Sequence, residues 1–577
     1  LIMYLNSKRI VTIEKLFINA IVYSFDKNNT TYEAMGIGNG KILFLGTKND
    51  AMNLLDNNTE IIDLKYKVVI PSFVDAYVKI PQKLIMNKDD LSLFECKNLK
   101  EYERVIKEYI NKHIDKEVIY GCGWELDNFI SCDKFHKGPN KKILNDICEN
   151  KAIILSDVTG KMLWLNDKAF ERFKITKNTY EPIGGKIELD EDGELWGILK
   201  DNAVNIININ EFKTYKNKDY LNSLIEFQKI LHSYGITSIG LVENNFSKIP
   251  FDVYRMAEIK DKLKLRIDYG VNIFPYEIGR KTIYEQLHDL KRLKIIYKSK
   301  YFDISRACFE ADGLIEMQSA FLFKPYRNNQ DDSDYTGRFK WDVLEFKEGI
   351  KMANRLDFNV IIEAIGDNAC KVSMDGIEYS QKNNNYNKCR NSIVHLSLIT
   401  KYYLRRMKTL ELNAIIHPFW YYQNSVRTKY EYEFIGEDRI QRLYPYKSLI
   451  NNNILIASSC EYFNEEGINP IKGVWCSVTR NLYKFSDEDK SDKNIMMDPK
   501  YRLNPDERVT VMEALKSFTI DAAYILGRES YVGSIEIGKN ADFIVLDKNI
   551  FTSNFEEISD INVCRTYFEG QLVYNKE

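Results

Sequence analysis

Few residue types in this chain can do acid–base or metal chemistry, and their spacing narrows the choice. There are six histidines, at 113, 136, 232, 288, 395 and 417, and no His-x-His pair. The ten cysteines are scattered and none forms Cys-x-x-Cys, so neither a zinc ribbon nor a dithiol redox site is expected. No Gly-x-x-x-x-Gly-Lys-Ser/Thr and no strand-linked Gly-x-Gly-x-x-Gly is present, which excludes the common phosphate-cradling loops. His417 ends the apolar run Ile415-Ile416-His417 and is followed by Pro418. It reads either as a structural histidine or as one facing a ligand. Trp420, Tyr421 and Tyr422 follow, and an aromatic surface of this kind suits an apolar or planar small molecule.

Such groups need a scaffold that brings distant residues together. Eight short apolar runs read as buried strands: 68–75, 236–242, 264–272, 302–311, 359–364, 392–396, 412–417 and 453–459. Segments of helical period, such as Leu221 to Ser233 and Trp341 to Leu356, lie between them. The alternation predicts an α/β fold, a TIM-like (β/α)8 barrel, over 68–504. The first connection, about 80–230, is too long for one helix and predicts an insertion after the first barrel strand. Its turns are marked by Gly121-Cys122-Gly123-Trp124 and Gly184-Gly185. Both ends of the chain read as short strands and turns. They predict one composite β-sandwich-like domain from residues 1–67 and 505–577. Asn383 to Asn385 and the charged stretch Ser486 to Lys493 read as surface loops.

The 577 residues carry a formal net charge of −2, so no basic surplus is present to grip nucleic acid or an anionic membrane. No apolar run approaches the roughly 20 residues of a membrane span. The first residues lack the charged-then-apolar order of a signal peptide. A cytoplasmic protein with free thiols is expected.

Several stretches, in order along nearly the whole chain, resemble the amidohydrolase superfamily, in the branch of N-substituted formamide deformylase. Val69-Ile70-Pro71-Ser72-Phe73-Val74-Asp75-Ala76-Tyr77-Val78-Lys79 resembles PGFVDxHxH, and Gly123-Trp124 resembles the GW of the insertion. Gly184-Gly185-Lys186-Ile187 with Asp192-Gly193 resembles GGxI…DG, and Ala311-Asp312-Gly313 resembles the FADG turn. Glu363-Ala364-Ile365-Gly366-Asp367-Asn368-Ala369 resembles HAIGDxA, and His395 stands at the His of RIEH. Glu513-Ala514-Leu515 through Thr519 to Ala523, then Gly533 to Asp547, is the closest match. The resemblance implies a hydrolase of non-peptide C–N bonds, with one or two metal ions at the barrel mouth, a small-molecule substrate and a homodimer.

The departures bear directly on that chemistry. The resemblance places Tyr77, Lys79, Cys308, Glu363, His395 and Cys460 where metal ligands or the proton-moving Asp are usual, and only His395 is of the usual type. Lys79 is a cation where a metal ion belongs. It and Glu363 are expected to meet, either as an acid/base pair or as a salt bridge that fills the vacated site. The catalytic candidates are therefore Lys79, Glu363, His395 and Cys460. Tyr77, Trp124, His417 and Trp420 are candidates for touching substrate. No metal and no other cofactor is expected, except zinc in a rearranged site built from Cys308, Glu363, His395 and Cys460. Cys460 and His395 could instead form a nucleophile and base, and Glu461 could replace the lost Asp if its loop is displaced by one residue. The leading expectation is an amidohydrolase-like protein with a degenerate metal site and little ordinary metal-dependent activity. The alternatives are an active hydrolase with a rearranged mononuclear metal or Cys/His site, and a ligand-binding or interaction scaffold.

Overall fold

The computed structural model describes residues 12–576 apart from 130–136, 213–214, 244–246, 328–331, 385–387, 422–424, 462–467 and 482–501. Tyr422, Asn385 and the expected loop at 486–493 lie outside the described residues. Eight parallel strands form one sheet in chain order: β1 (Phe73–Val78), β2 (Ile236–Val242), β3 (Arg266–Asn272), β4 (Phe302–Glu310), β5 (Asn359–Ala364), β6 (Ser392–His395), β7 (Asn413–Ile416) and β8 (Ile456–Ser458). The seam between β8 and β1 is bridged by side chains. The Ser459 hydroxyl donates to the Tyr77 carbonyl, and the Cys460 N–H donates to Asp75 Oδ2 at 2.8 Å. The sheet is thereby nearly closed into a (β/α)8 barrel.

The strands are buried on both faces, which is why they read as continuous apolar runs rather than alternating ones. Val74, Val242, Cys308, Ile361, Val394, Ile415 and Ala457 share the interior with Ala522 and Ile525 of the helix Ile520–Ile525. That helix lies at the end where the strands start, because the Val74 N–H donates to the Phe518 carbonyl at 2.7 Å. The outer helices follow the expected period. In Val343–Arg355 the Asp342 carboxylate caps the N–H groups of Leu344 and Glu345, and Phe346, Ile350 and Ala353 face the barrel.

The first expected strand, 68–75, divides at Ser72. Val68–Pro71 belongs to a different sheet, and only from Phe73 does the chain enter the barrel. Both halves are buried, so hydrophobicity gives no sign of the break. The other sheet has six strands in the order Gln571–Asn575, Val563–Phe568, Phe543–Leu546, Val68–Pro71, Ile21–Tyr23, Thr31–Tyr32. It joins the two ends of the chain. A four-stranded sheet (Lys41–Gly46, Ala34–Gly38, Lys15–Ile18, Glu60–Asp63) packs on it, with the Phe17 ring 5.1 Å from Phe543 and 5.3 Å from Tyr567. Residues 511–525, expected in this β unit, are instead two helices packed on the barrel.

The long first connection builds a third sheet, with strands in the order Gly185–Leu189, Leu195–Asp201, Met162–Leu165, Ala152–Asp157, Val118–Trp124, Leu91–Ser92. Gly184 lets this unit dock on the barrel. Its φ is +70°, and a Cβ there would lie 2.6 Å from the Lys340 side chain. No helix among the described residues is long and apolar enough to cross a membrane.

Candidate active site

The strand ends of the barrel converge on one buried carboxylate. Glu363, the penultimate residue of β5, accepts a hydrogen bond from the Tyr77 hydroxyl of β1 through Oε1. Its Oε2 lies 3.3 Å from Lys79 Nζ and 3.5 Å from His395 Nε2. Burial alone would favour the neutral acid. Lys79, the His395 hydrogen bond and Lys161 outweigh it and hold the Glu363 carboxyl well below the usual carboxylate range. Lys79 also approaches Glu461 Oε1 at 4.0 Å and lies 5.1 Å from the centre of the Tyr77 ring.

A second cluster shares His395. Glu461 Oε2 lies 3.8 Å from His395 Nδ1 and 3.6 Å from His417 Nε2, and the three donor atoms all fall within 4.8 Å of one another. Trp420 covers both rings, stacked on His395 at 4.9 Å and 6° and tilted against His417 at 4.8 Å. The backbone is bent to deliver these groups. His395 ends β6 at φ +76°, and Glu461 follows β8 at φ +38°, both in a region that non-glycine residues rarely adopt. Burial pushes the Glu461 carboxyl up, against His395 and Lys79.

Beside Glu363 opens a cavity of about 90 Å³, whose lining includes Lys79, Cys308, Glu243 and Glu310 from the barrel. The insertion supplies Thr159, Gly160, Lys161, Asp201 and Asn202 to the same cavity, so it roofs the mouth. Lys161 pairs with Glu310, while Lys340 Nζ lies 2.7 Å from Asp201 Oδ1 and 3.1 Å from Glu310 Oε1. Burial opposes the charge on Glu310, but the two lysines bring its carboxyl down to about 2.

The family model for the amidohydrolase family matches residues 60–574. The chain belongs to the amidohydrolase family. It is similar to an N-substituted formamide deformylase of Arthrobacter pascens, 21% identical over 580 residues that take in 97% of this chain and 98% of the relative. It is also similar to the protein LONG AFTER FAR-RED 3 of Arabidopsis thaliana, 24% identical over 98% of this chain and 92% of the relative. A solved metal-dependent hydrolase of Pyrococcus horikoshii shares the fold, with a TM-score of 0.67 and 22% identity across 94% of this chain and 99% of that one.

Within this amidohydrolase barrel, the residues singled out in the sequence divide into two groups. Tyr77, Lys79, Glu363, His395, His417 and Trp420 assemble in one place. Cys460 does not join them: its N–H and thiol are directed to Asp75, and burial first, then Asp75, pushes the thiol well up. The Cys460–His395 nucleophile and base pair is therefore not assembled. Cys308 lies inside the barrel against Gly270, and its thiol is pushed up to about 12 by burial. The proposed zinc set of Cys308, Glu363, His395 and Cys460 is not a cluster among the described residues. Trp124 is a core residue of the insertion rather than a mouth residue. It is fully buried, packs edge-on to Phe129 and Trp164, and donates its indole N–H to Leu155 O at 2.9 Å.

Glu461, rather than its neighbour Cys460, is turned toward His395 and His417. Lys161, Asp201, Glu310 and Lys340 were not legible as site residues. Glu310 precedes the Ala311-Asp312-Gly313 turn, which could have flagged it. Lys161 and Asp201 reach the mouth only because the insertion folds back over it.

A pair of metal ions, as the resemblance implies, would have to be held by these side chains. The Lys79 ammonium, between Glu363 and Glu461, occupies the position where the resemblance puts a metal ligand. A dication held by Tyr77, Lys79 and Glu363 would face that ammonium in a buried setting, so these residues do not fit the pair of ions.

Proposed function

We propose that the chain is a diverged amidohydrolase that holds a small polar molecule with an amide-type C–N bond in its mouth and has little ordinary metal-dependent hydrolytic activity. The observation that carries this reading is the 3.3 Å contact of Lys79 Nζ with Glu363 Oε2. Two-metal hydrolysis relies on ions that acidify a water and clamp the substrate oxygens. At the family's positions this chain has an ion pair instead. The mouth still has what a small ligand needs. It is roofed, it presents cations and carboxylates in pairs, and Trp341 and Ile273 add apolar wall. The full-length relative named as an N-substituted formamide deformylase suggests the first compounds to try.

The test is an assay of the purified chain with small N-substituted formamides and related amides, after chelation and after adding zinc. Binding is expected as a rise in Tm, with turnover near background and insensitive to added metal. Rapid turnover that chelation abolishes, with one ion or two per chain, would overturn the reading.

A further inference from the structure

We infer that His395, His417 and Glu461 form a site for one divalent ion of the zinc class, which keeps the histidine at the end of β6 and adds His417, after β7, a ligand that the resemblance does not supply. Three observations carry it. The donor atoms are converged: Glu461 Oε2 stands 3.6 Å from His417 Nε2 and 3.8 Å from His395 Nδ1. Ligands about 2.0–2.1 Å from a tetrahedral zinc are roughly 3.3 Å apart, so an ion needs the two Glu461 contacts to close by a few tenths of an ångström and the two imidazoles, whose donor atoms lie within 4.8 Å, to close by up to about 1.5 Å.

Next, two of the atoms facing this point, on Glu461 and His395, are unsatisfied. Glu461 Oε2 and His395 Nδ1 are buried and have no hydrogen-bond partner among the described residues, with side-chain exposures of 4% and 3%. A native interior seldom leaves a carboxylate oxygen and an imidazole nitrogen in that state without something to bind them.

Finally, the surroundings orient the ligand. His395 Nε2 lies 3.5 Å from Glu363 Oε2, so the tautomer that donates its proton to that carboxylate leaves the Nδ1 lone pair facing Glu461. Carboxylate, imidazole and ion in line is the arrangement that usually supports a metal-bound histidine. The Tyr77 and Lys79 contacts to the same carboxylate then act as outer support. Lys79 approaches the other oxygen of Glu461, Oε1, rather than Oε2. One carboxylate and two imidazoles favour zinc over magnesium or calcium, which prefer oxygen.

This site stands apart from the low-turnover reading, since an ion can be measured in a protein that turns over nothing. The experiment uses the full chain, stripped with chelator and reloaded with zinc or cobalt(II). One equivalent is expected. The cobalt spectrum should show tetrahedral absorption without a thiolate charge-transfer band, and C308S with C460S should leave it unchanged. His417→Gln and Glu461→Gln should each lose stoichiometric binding while melting like the metal-free wild type. Glu363→Gln should bind roughly 10–100-fold more weakly. Should either ligand variant fail to fold, the cobalt spectrum of the unaltered chain still decides. No bound ion in the wild type, a thiolate band, or undiminished binding in both ligand variants would overturn the site. Failure here leaves the low-turnover proposal standing, and rapid turnover with two ions would defeat that proposal without removing this site.

Discussion

An ammonium and a carboxylate buried side by side are each costly without the other, and Lys79 and Glu363 are in that position at 12% and 8% side-chain exposure. Lys79→Met should destabilise the chain by roughly 3–5 kcal/mol, because it strands the Glu363 charge. Adding Glu363→Gln to it should cost less than the two changes measured separately, which a double-mutant cycle in urea would read. Equal additivity would mean that the two groups do not depend on each other. Glu310 offers a pH test at the same scale. Its folded-state value of about 2 lies below the ordinary 4.5, owing to Lys161 and Lys340 acting against burial. The stabilisation is therefore complete above about 4.5 and is lost as the pH falls from there toward about 2. Stability measured across that window should fall in the wild type and fall less in Glu310→Gln.

At the scale of elements, the insertion is the piece that turns an open barrel end into a roofed cavity. Its docking depends on close approach at Gly184, where φ is +70° and a Cβ would meet Lys340 at 2.6 Å. Gly184→Ala should cost about 1–3 kcal/mol from the left-handed backbone alone. It should also displace Lys340 from Asp201, which it now touches at 2.7 Å. Denaturation should show the loss. Ligand-induced rise in Tm should shrink as well, since Lys340 and Asp201 both line the cavity. A variant as stable as wild type with full ligand response would show that the roof is not held there. The strand ends carry the other element-scale feature. His395 and Glu461 reach their shared point only through backbone at φ +76° and +38°, so the loops after β6 and β8 are shaped to aim these side chains rather than to connect the shortest way.

For the whole molecule, strands from both terminal regions of the chain pair in one sheet. Val68–Pro71 pairs with Phe543–Leu546, and one residue later the chain enters β1. Removing residues 531–577 takes away three of the six strands of that sheet and uncovers Phe17 and Val69, which are fully buried. Insoluble protein is expected on expression, and a soluble, cooperatively melting barrel would contradict this account. The barrel itself was legible from local signals, because doubly buried strands and amphipathic helices follow directly from the periodicity of apolar residues. The residue types at Tyr77, Lys79 and Glu363 can likewise be read one by one. What the linear pattern could not carry were relations across the barrel and across the mouth. The break at Ser72 is hidden because both flanking strands are buried. Trp124 reads like a mouth residue until the insertion proves to have a core of its own. Cys460 and Glu461 are adjacent in sequence, yet a left-handed turn at Glu461 and the Cys460–Asp75 contact send one toward β1 and the other toward His395 and His417. Residue type and order are properties of the chain. Which of two neighbouring side chains points into the site is decided by backbone dihedrals and packing, and these exist only once the barrel has closed.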